Sequence, residues 1–372
     1  MKKMWMSVMC ACLALLLSSC GRVESSVARE IYIPILADAA WLTVDGAFLR
    51  GVELAKDDFA EEYKDGGTTI KVEVFDDRAE YEIGVGLAEK IAKDPSVTAV
   101  MNLQNFSTSK ITAGMLSTAK KITLFPYGAY DSLFEQDNFY LFCGMPSCAN
   151  LGKTMADYAV RKGYKRIAVY HNGGQAQDDF VTAFELALIG TNSKVVDYVP
   201  SIASAGEFAA VYDRWQIIDV DCAVIAQYGL GRAFEILNMI RKKNPNLPVI
   251  SEPIFNRADA LSDNMAIAEG IAVPATMEIA DAAGLASFRG KYQQRYGTQP
   301  DIWAVQGYTM TRLIADTALR VKPGDSTALA GALHESQGYQ GIGGIAFAPG
   351  GALVTHGNLP VLVCQGGVFV EN

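Results

Sequence analysis

The stretch Glu30-Ile31-Tyr32-Ile33-Pro34-Ile35-Leu36-Ala37 is followed by Phe48, Val52, Ala55, Phe59 and Tyr63, and then by Ile70-Lys71-Val72-Glu73-Val74-Phe75. A β-rich run, apolar residues at helical spacing and a second β-rich run predict one βαβ unit. The series continues outward with Ile83, Leu87 and Ile91 on a helix, a strand over 97–103, a helix over 109–120 and a strand over 122–125. It then restarts. Helices are predicted over 150–162, 178–189, 208–216 and 229–243, and strands over 166–170, 194–199, 221–226 and 248–251. Such alternation gives mostly parallel sheets covered by helices on both faces, so the fold class is α/β with two Rossmann-like lobes. Residues 285–337 read as three helical stretches without a strand, too little for a third domain. Short strands over 344–347, 359–364 and 368–370 return to the second lobe. The expected division is residues 30–146 plus 274–348 for lobe 1, and 147–273 plus 349–372 for lobe 2, with more than one crossover between them.

The N-terminus speaks to compartment. Lys2 and Lys3 precede an apolar run over 8–17, about half the ~20 residues that span a bilayer, so the run reads as a signal h-region. It ends in Leu17-Ser18-Ser19-Cys20-Gly21, which resembles a bacterial lipobox. The expectation is a signal peptide over 1–19, lipidation at Cys20 and a tether over 20–29, leaving the protein periplasmic or on the cell surface. Gly21 lacks the aspartate associated with inner-membrane retention, which leaves an outer-membrane location open. Losing residues 1–19 takes Lys2 and Lys3 from 32 basic residues and nothing from 41 acidic ones, so the net charge of −9 falls to −11. A surface that acidic argues against nucleic acid and anionic lipid as partners. The mature body should be soluble, tethered only by its lipid.

Of seven cysteines, Cys143, Cys148, Cys222 and Cys364 lie in the mature chain. An oxidising compartment permits a Cys143–Cys148 disulfide, whereas Cys222 and Cys364 fall in apolar strand patterns and read as buried thiols. No paired CxxC supports a zinc site, and no metal or cofactor is expected. The three histidines, His171, His334 and His356, form no HExxH, and no GxSxG elbow exists. Ser117-Thr118-Ala119-Lys120 and Ser262-Asp263-Asn264 match two serine-enzyme motifs, but the third, K-T-G, is missing and Ser117 falls near a helix end. The doublets Asp57-Asp58, Asp76-Asp77 and Asp178-Asp179 lack calcium-loop spacing and read as solvated helix starts. The glycines over 341–344 and 350–351 read as turns. No enzyme is expected.

What remains is a binding signature. In parallel α/β sheets, ligands sit beyond the carboxyl ends of the strands. Residues predicted there are Trp41, Leu42 and Thr43; Asn105, Phe106, Ser107 and Thr108; Tyr127, Gly128, Ala129 and Tyr130; Gln175 and Gln177; Tyr228; and Glu252 and Phe255. Aromatic rings mixed with hydroxyls, amides and one acid suit a small-molecule pocket.

The order of these segments resembles the type I periplasmic binding proteins of branched-chain amino acid ABC transporters, over nearly all of the mature chain. The likeness rests on Asp45-Gly46-Ala47-Phe48-Leu49-Arg50-Gly51-Val52, on Lys165-Arg166-Ile167-Ala168-Val169-Tyr170, on Glu269-Gly270-Ile271, and on Tyr296-Gly297-Thr298-Gln299-Pro300-Asp301-Ile302-Trp303-Ala304. The resemblance implies a three-stranded hinge, a ligand trapped between closing lobes and delivery to ABC permease subunits; a monomer is the default expectation. It also implies that Ser107 and Thr108 hold a ligand carboxylate and Glu252 an ammonium. Two departures stand out. Phe125-Pro126-Tyr127-Gly128-Ala129-Tyr130 replaces a family Ser-Pro-x-x-Thr, and Cys148 stands where a polar residue is common. They point to Trp41, Phe106, Tyr127, Tyr130 and Tyr228 as a stacking pocket for a planar ligand. The competing reading keeps the fold but makes the chain a ligand-sensing or envelope-regulatory lipoprotein acting by protein contact.

Overall fold

The computed structural model describes residues 29–372 except 128–130, 135–137, 228, 280, 336–338 and 356–358. The signal and lipobox with Cys20, and the site candidates Gly128, Ala129, Tyr130 and Tyr228, lie outside the described residues, as does His356.

Strand β1 (Arg29–Ala37) is buried along its last seven residues, the mark of a strand covered on both faces. It pairs in parallel with all of β2 (Thr68–Asp76). Beside it lie β3 (Val100–Asn102), β4 (Thr123–Phe125) and β5 (Leu141–Cys143), giving a parallel sheet of order β2-β1-β3-β4-β5. The crossovers run through α1 (Ala39–Asp45) with α2 (Ala47–Glu62), then α3 (Tyr81–Lys93) and α4 (Phe106–Thr118).

A second set follows. Helix α5 (Cys148–Lys162) leads into β6 (Arg166–Asn172), α6 (Gln175–Leu188), β7 (Lys194–Val199), α7 (Ala205–Ile217), β8 (Cys222–Gln227), α8 (Leu230–Lys243), β9 (Val249–Ser251), α9 (Ala258–Ala268) and β10 (Ala272–Pro274). The chain then leaves this sheet for β11 (Glu278–Ile279), α10 (Ala282–Tyr296), α11 (Ile302–Ala318), α12 (Ser326–Glu335), β12 (Tyr339–Gln340) and β13 (Gly343–Ile345). It returns as the hairpin β14 (Val361–Gln365) and β15 (Val368–Glu371). The second sheet has order β15-β14-β10-β9-β8-β6-β7, with β14 antiparallel to β10. The expected return of 344–347 to this sheet is corrected: β13 pairs with β11 and β12 in a small antiparallel sheet. Three connections therefore join the two parts: after β5, after β10 and after β13.

Glycine fixes the helix packing. A Cβ on Gly51 of α2 would run into the Ala304 carbonyl of α11, and one on Gly307 into the Phe48 carbonyl. In the second part, Gly152 of α5 meets the Phe180 carbonyl of α6 in the same manner. Side-chain-free contacts let the helix pairs approach closely enough to cover their sheets. Cys222 and Cys364 are fully buried as the strand patterns predict, and the expected Cys143–Cys148 disulfide is corrected: no disulfide joins the two.

Asp301 links the parts. Its Oδ1 caps α11 by accepting from Trp303 N and Ala304 N, both at 3.0 Å, and Oδ2 accepts from Ala258 N at the start of α9, 3.3 Å away. Asp301→Ala is expected to lower stability by about 1–2 kcal/mol, read by urea unfolding, because it strips a cap and a bridge together. An unchanged unfolding midpoint would refute that assignment.

Candidate functional site

The candidate residues lie beyond or beside strand ends of both sheets. Tyr127, two residues past β4, packs against the core of the first sheet and against that of α5 and α6. Its ring meets Trp41 of α1 edge-on at 5.2 Å, Phe48 of α2 at 5.3 Å and Trp303 of α11 at 4.4 Å. Trp303 touches the same two cores. Trp41 stays 44 % exposed, so this aromatic group runs from the interior to the surface. Trp303 was quoted for its place in a sequence pattern, not as a site residue. Its position at the start of an otherwise apolar helix reads as core, and only the tertiary fold sets it beside Tyr127.

Several candidates expected on loops stand on first helical turns. Trp41 and Thr43 belong to α1, capped by Asp38 Oδ1 accepting from Ala40 N at 3.0 Å. The Thr43 hydroxyl donates back to Ala39 O at 2.7 Å, so its proton is engaged within its own helix. Helix α4 begins at Phe106 and not at 109, which puts Phe106, Ser107 and Thr108 in its first turn. Asn105 precedes it and makes no side-chain cap. Ser107 is exposed and Thr108 buried.

A buried polar network fixes that turn from beneath. Gln104 Nε2 donates to Asp77 Oδ2 at 3.0 Å, and Thr112 Oγ1 donates to Gln104 Oε1 at 2.8 Å. Asn102 Oδ1 accepts from Gln104 N at 3.0 Å. The reading of Asp76-Asp77 as a solvated pair is thus corrected for Asp77, which is 2 % exposed. Burial raises its carboxyl against the hydrogen bonds from Ala79 N and Gln104. Gly84 is needed here, since a Cβ would crowd the Gln104 amide.

On the opposite side, α6 begins at Gln175, three residues earlier than its periodicity suggests. Gln175 is exposed and donates to Asp179 at 2.8 Å. Gln177 is buried, and its Nε2 donates to Glu252 Oε1 at 3.2 Å and Oε2 at 3.1 Å. Gln227 N, at the end of β8, donates to Glu252 Oε1 at 2.9 Å. Burial pushes the Glu252 carboxyl up to about 7 despite these donors. The residue as a whole is half-buried. Cys148, the first residue of α5, is near enough for burial and then Asp131 and Glu252 to raise its thiol well above the usual range. Its backbone N–H donates to Asp131 Oδ1 at 3.3 Å, and that of Ala149 to Oδ2 at 3.3 Å. Phe255 is fully buried against Phe234, centroids 5.0 Å apart, so its ring belongs to the lobe core.

A cavity of about 630 Å³ lies elsewhere, among α2, α10 and α11. In its lining Lys291 pairs with Asp58, and Arg312 with Glu62 and Asp316, and it lies away from the strand ends where ligands of parallel α/β sheets sit. Among the described residues, no cluster of three His, Cys, Asp or Glu could hold a metal ion, and no helix is long and apolar enough to cross a membrane.

Residues 39–358 match a family model described as periplasmic binding protein. No curated protein matches significantly. Among solved structures, the chain is similar to an ABC transporter substrate-binding protein from Desulfitobacterium hafniense in complex with leucine, at 22 % identity and a TM-score of 0.82, covering 92 % of this chain and 100 % of that one. It is similar to a branched-chain amino acid transporter substrate-binding protein from Streptococcus pneumoniae in complex with isoleucine, at 20 % identity and a TM-score of 0.75, over 92 % and 100 %. A solute-binding protein from R. palustris in complex with benzoate matches at 17 % identity and a TM-score of 0.76, over 92 % and 95 %.

Proposed function

The chain belongs to the periplasmic binding protein family, and from that premise we propose that it is an extracytoplasmic, lipid-anchored solute-binding protein of an ABC importer. It traps a small polar or aromatic molecule, an amino acid or aromatic acid, between two closing lobes and changes no bond in it. The reading is supported most by two unlike groups of residues at the strand ends. The Trp41–Tyr127–Trp303 aromatic group stands at the first sheet, and the buried Glu252 carboxyl stands at the strand ends of the second. Flat apolar surface with one or two fixed polar groups is what a small-molecule site requires. The first turn of α4, with Ser107 and Thr108 and with Asn105 before it, presents hydroxyls and a helix N-terminus that suit a ligand carboxylate. Phe106, Gln177 and, beyond the described residues, Gly128, Ala129 and Tyr228 complete the proposed lining. Anchoring through Cys20 and delivery to permease subunits rest on the lipobox and the family.

The test is a thermal-shift screen of residues 21–372 against amino acids, aromatic acids, purines and small amides. A ligand at 100 times its Kd adds about 2.7 kcal/mol, roughly 2–4 °C or more at this size. Tyr127→Ala is expected to weaken the hit roughly tenfold or more, since it removes the ring that Trp41 and Trp303 hold in place. Wild-type affinity in that variant would count against the aromatic wall. No shift with any class, on folded protein free of bound solute, would shift the assignment to a lipoprotein acting by protein contact.

A further inference from the structure

Helix α9 begins without a side-chain cap of its own. Arg257 stands in the N-cap position with an extended backbone, and its side chain makes no cap hydrogen bond. A guanidinium has no acceptor to offer there. The N–H of Ala258, the first helical residue, is one of the donors a helix leaves without an internal partner. Asp301 reaches it from the start of α11, with Oδ2 3.3 Å from Ala258 N, while Oδ1 accepts from Trp303 N and Ala304 N at 3.0 Å. One buried carboxylate thus serves the first turns of two helices, one covering each sheet.

Asp131 makes a useful contrast. It accepts from Cys148 N and Ala149 N at 3.3 Å each, at the start of α5. That helix has its own cap, since Ser147 Oγ accepts from Asn150 N at 3.0 Å, and it follows β5 after residues 144–147 only. Asp131 therefore bridges segments that the chain already holds together. Asp301 and Ala258 are 43 residues apart and lie on opposite sides of the connection after β10.

The Asp301 bond also ties together the two groups of the candidate site. Ala258 ends the connection that Glu252 begins, and the stretch between them is tightly turned, with Asn256 N on Pro253 O and Arg257 N on Phe255 O at 2.9 Å. Phe255 anchors that stretch in the core. Trp303 is oriented by the same carboxylate through its own N–H. Parting the two helix starts would therefore carry the Glu252 connection away from the aromatic group.

We propose that Asp301 is a positioning residue that clasps the two lobes: Oδ2 holds the first N–H of α9 while Oδ1 holds the first turn of α11, which keeps Glu252 and Trp303 in register and slows release of a bound ligand. The clasp and the ligand favour the same arrangement, so each strengthens the other. The inference rests on the solute-binding reading for its ligand half only.

Asp301→Asn separates the two roles. Asparagine is as good an N-cap as aspartate, so its Oδ1 can still accept from Trp303 N and Ala304 N. Its NH2 then faces Ala258 N–H, donor against donor. The variant is expected to keep most of the urea-unfolding midpoint that Asp301→Ala loses. Asp301→Ser, also a good cap but too short to serve both helices, takes its place if Asp301→Asn folds poorly.

Two arms test the clasp. In the first, deuterium exchange of the ligand-free protein is followed by mass spectrometry in peptides covering residues 254–262. One amide more is expected to exchange early in the variant, roughly tenfold faster than in wild type. Equal exchange in both proteins overturns the clasp. In the second, L-leucine, L-phenylalanine and benzoate are titrated calorimetrically, and release of any that binds is followed by stopped-flow tryptophan fluorescence. Release from the variant is expected to be roughly three- to tenfold faster, the loss of one hydrogen bond, with association nearly unchanged. An unchanged release rate, or a loss confined to association, overturns the positioning role. Binding of none of the three defeats the solute reading for these classes, while the first arm still decides the clasp.

Discussion

Gly307→Ala is expected to destabilise the protein by about 3 kcal/mol, the upper range for forcing extra atoms into a packed interior. The cause is local. Helices α2 and α11 cross with Gly51 of one against the Ala304 carbonyl of the other, and Gly307 against that of Phe48. A methyl group at either glycine meets backbone, which cannot rotate aside as a side chain can, so the helices must separate. Separation opens the cluster containing Phe48, Val52, Met310 and Ile314, and the cost of lost contacts adds to the clash. Gly51→Ala is expected to behave alike. Gly86 and Gly290 are also helical, but a Cβ there meets nothing within 4 Å. Alanine at those two is expected to stabilise by roughly 0.5–1 kcal/mol through helix propensity. Urea unfolding of the four single variants decides the matter. Equal effects at all four would mean that the crossing does not depend on glycine.

The same crossing shows what could be read in advance. Phe48, Val52, Ala55, Phe59 and Tyr63 gave α2 because a long helix covering a sheet must repeat its apolar face. The parallel strands were equally legible, since a strand buried on both faces has no polar alternation to hide it. Legibility failed where polar chemistry replaces periodicity. Among the described residues of helix α1 Leu42 alone is buried, so the helix carries no apolar repeat. The first turns of α4 and α6 hold Ser107, Thr108, Gln175 and Gln177, residues that look like loop because first-turn N–H groups face outward to partners. Asp77 looked solvated because nothing near it in sequence reveals Gln104, which reaches it from the end of another strand. Trp303 and Phe255 illustrate the limit from both sides. Each is an aromatic residue by a helix start, yet one joins Tyr127 at the site and the other fills a core against Phe234. That choice is made by the crossings between sheets, which have no local signal.

Glu252→Gln is expected to make the protein more stable than wild type at pH 8, by about 3 kcal/mol, and to leave it nearly unchanged at pH 4. The sign follows from linkage. In the unfolded chain this carboxyl ionises in the ordinary glutamate range, and in the folded protein burial raises it to about 7. The folded state therefore holds the proton more tightly. Its stabilising share is complete below the unfolded value and is lost as pH rises through the folded one. Between those limits each unit of difference is worth about 1.4 kcal/mol, which sets the size of the effect. Glutamine keeps the shape and most of the hydrogen bonding without a charge to desolvate, so its stability should be flat across that window. Gln177 and Gln227 N limit the cost of the buried charge but do not remove it, because neutral donors compensate desolvation only in part. A chain selected for stability alone would carry glutamine at 252. Urea unfolding from pH 4 to 8 measures the difference directly. Parallel curves for the two proteins would mean that Glu252 ionises as freely as a surface carboxylate and anchors nothing. Convergence at low pH with separation above neutrality would mark it as a charge kept at the expense of stability, to meet a donor that the folded chain does not itself supply.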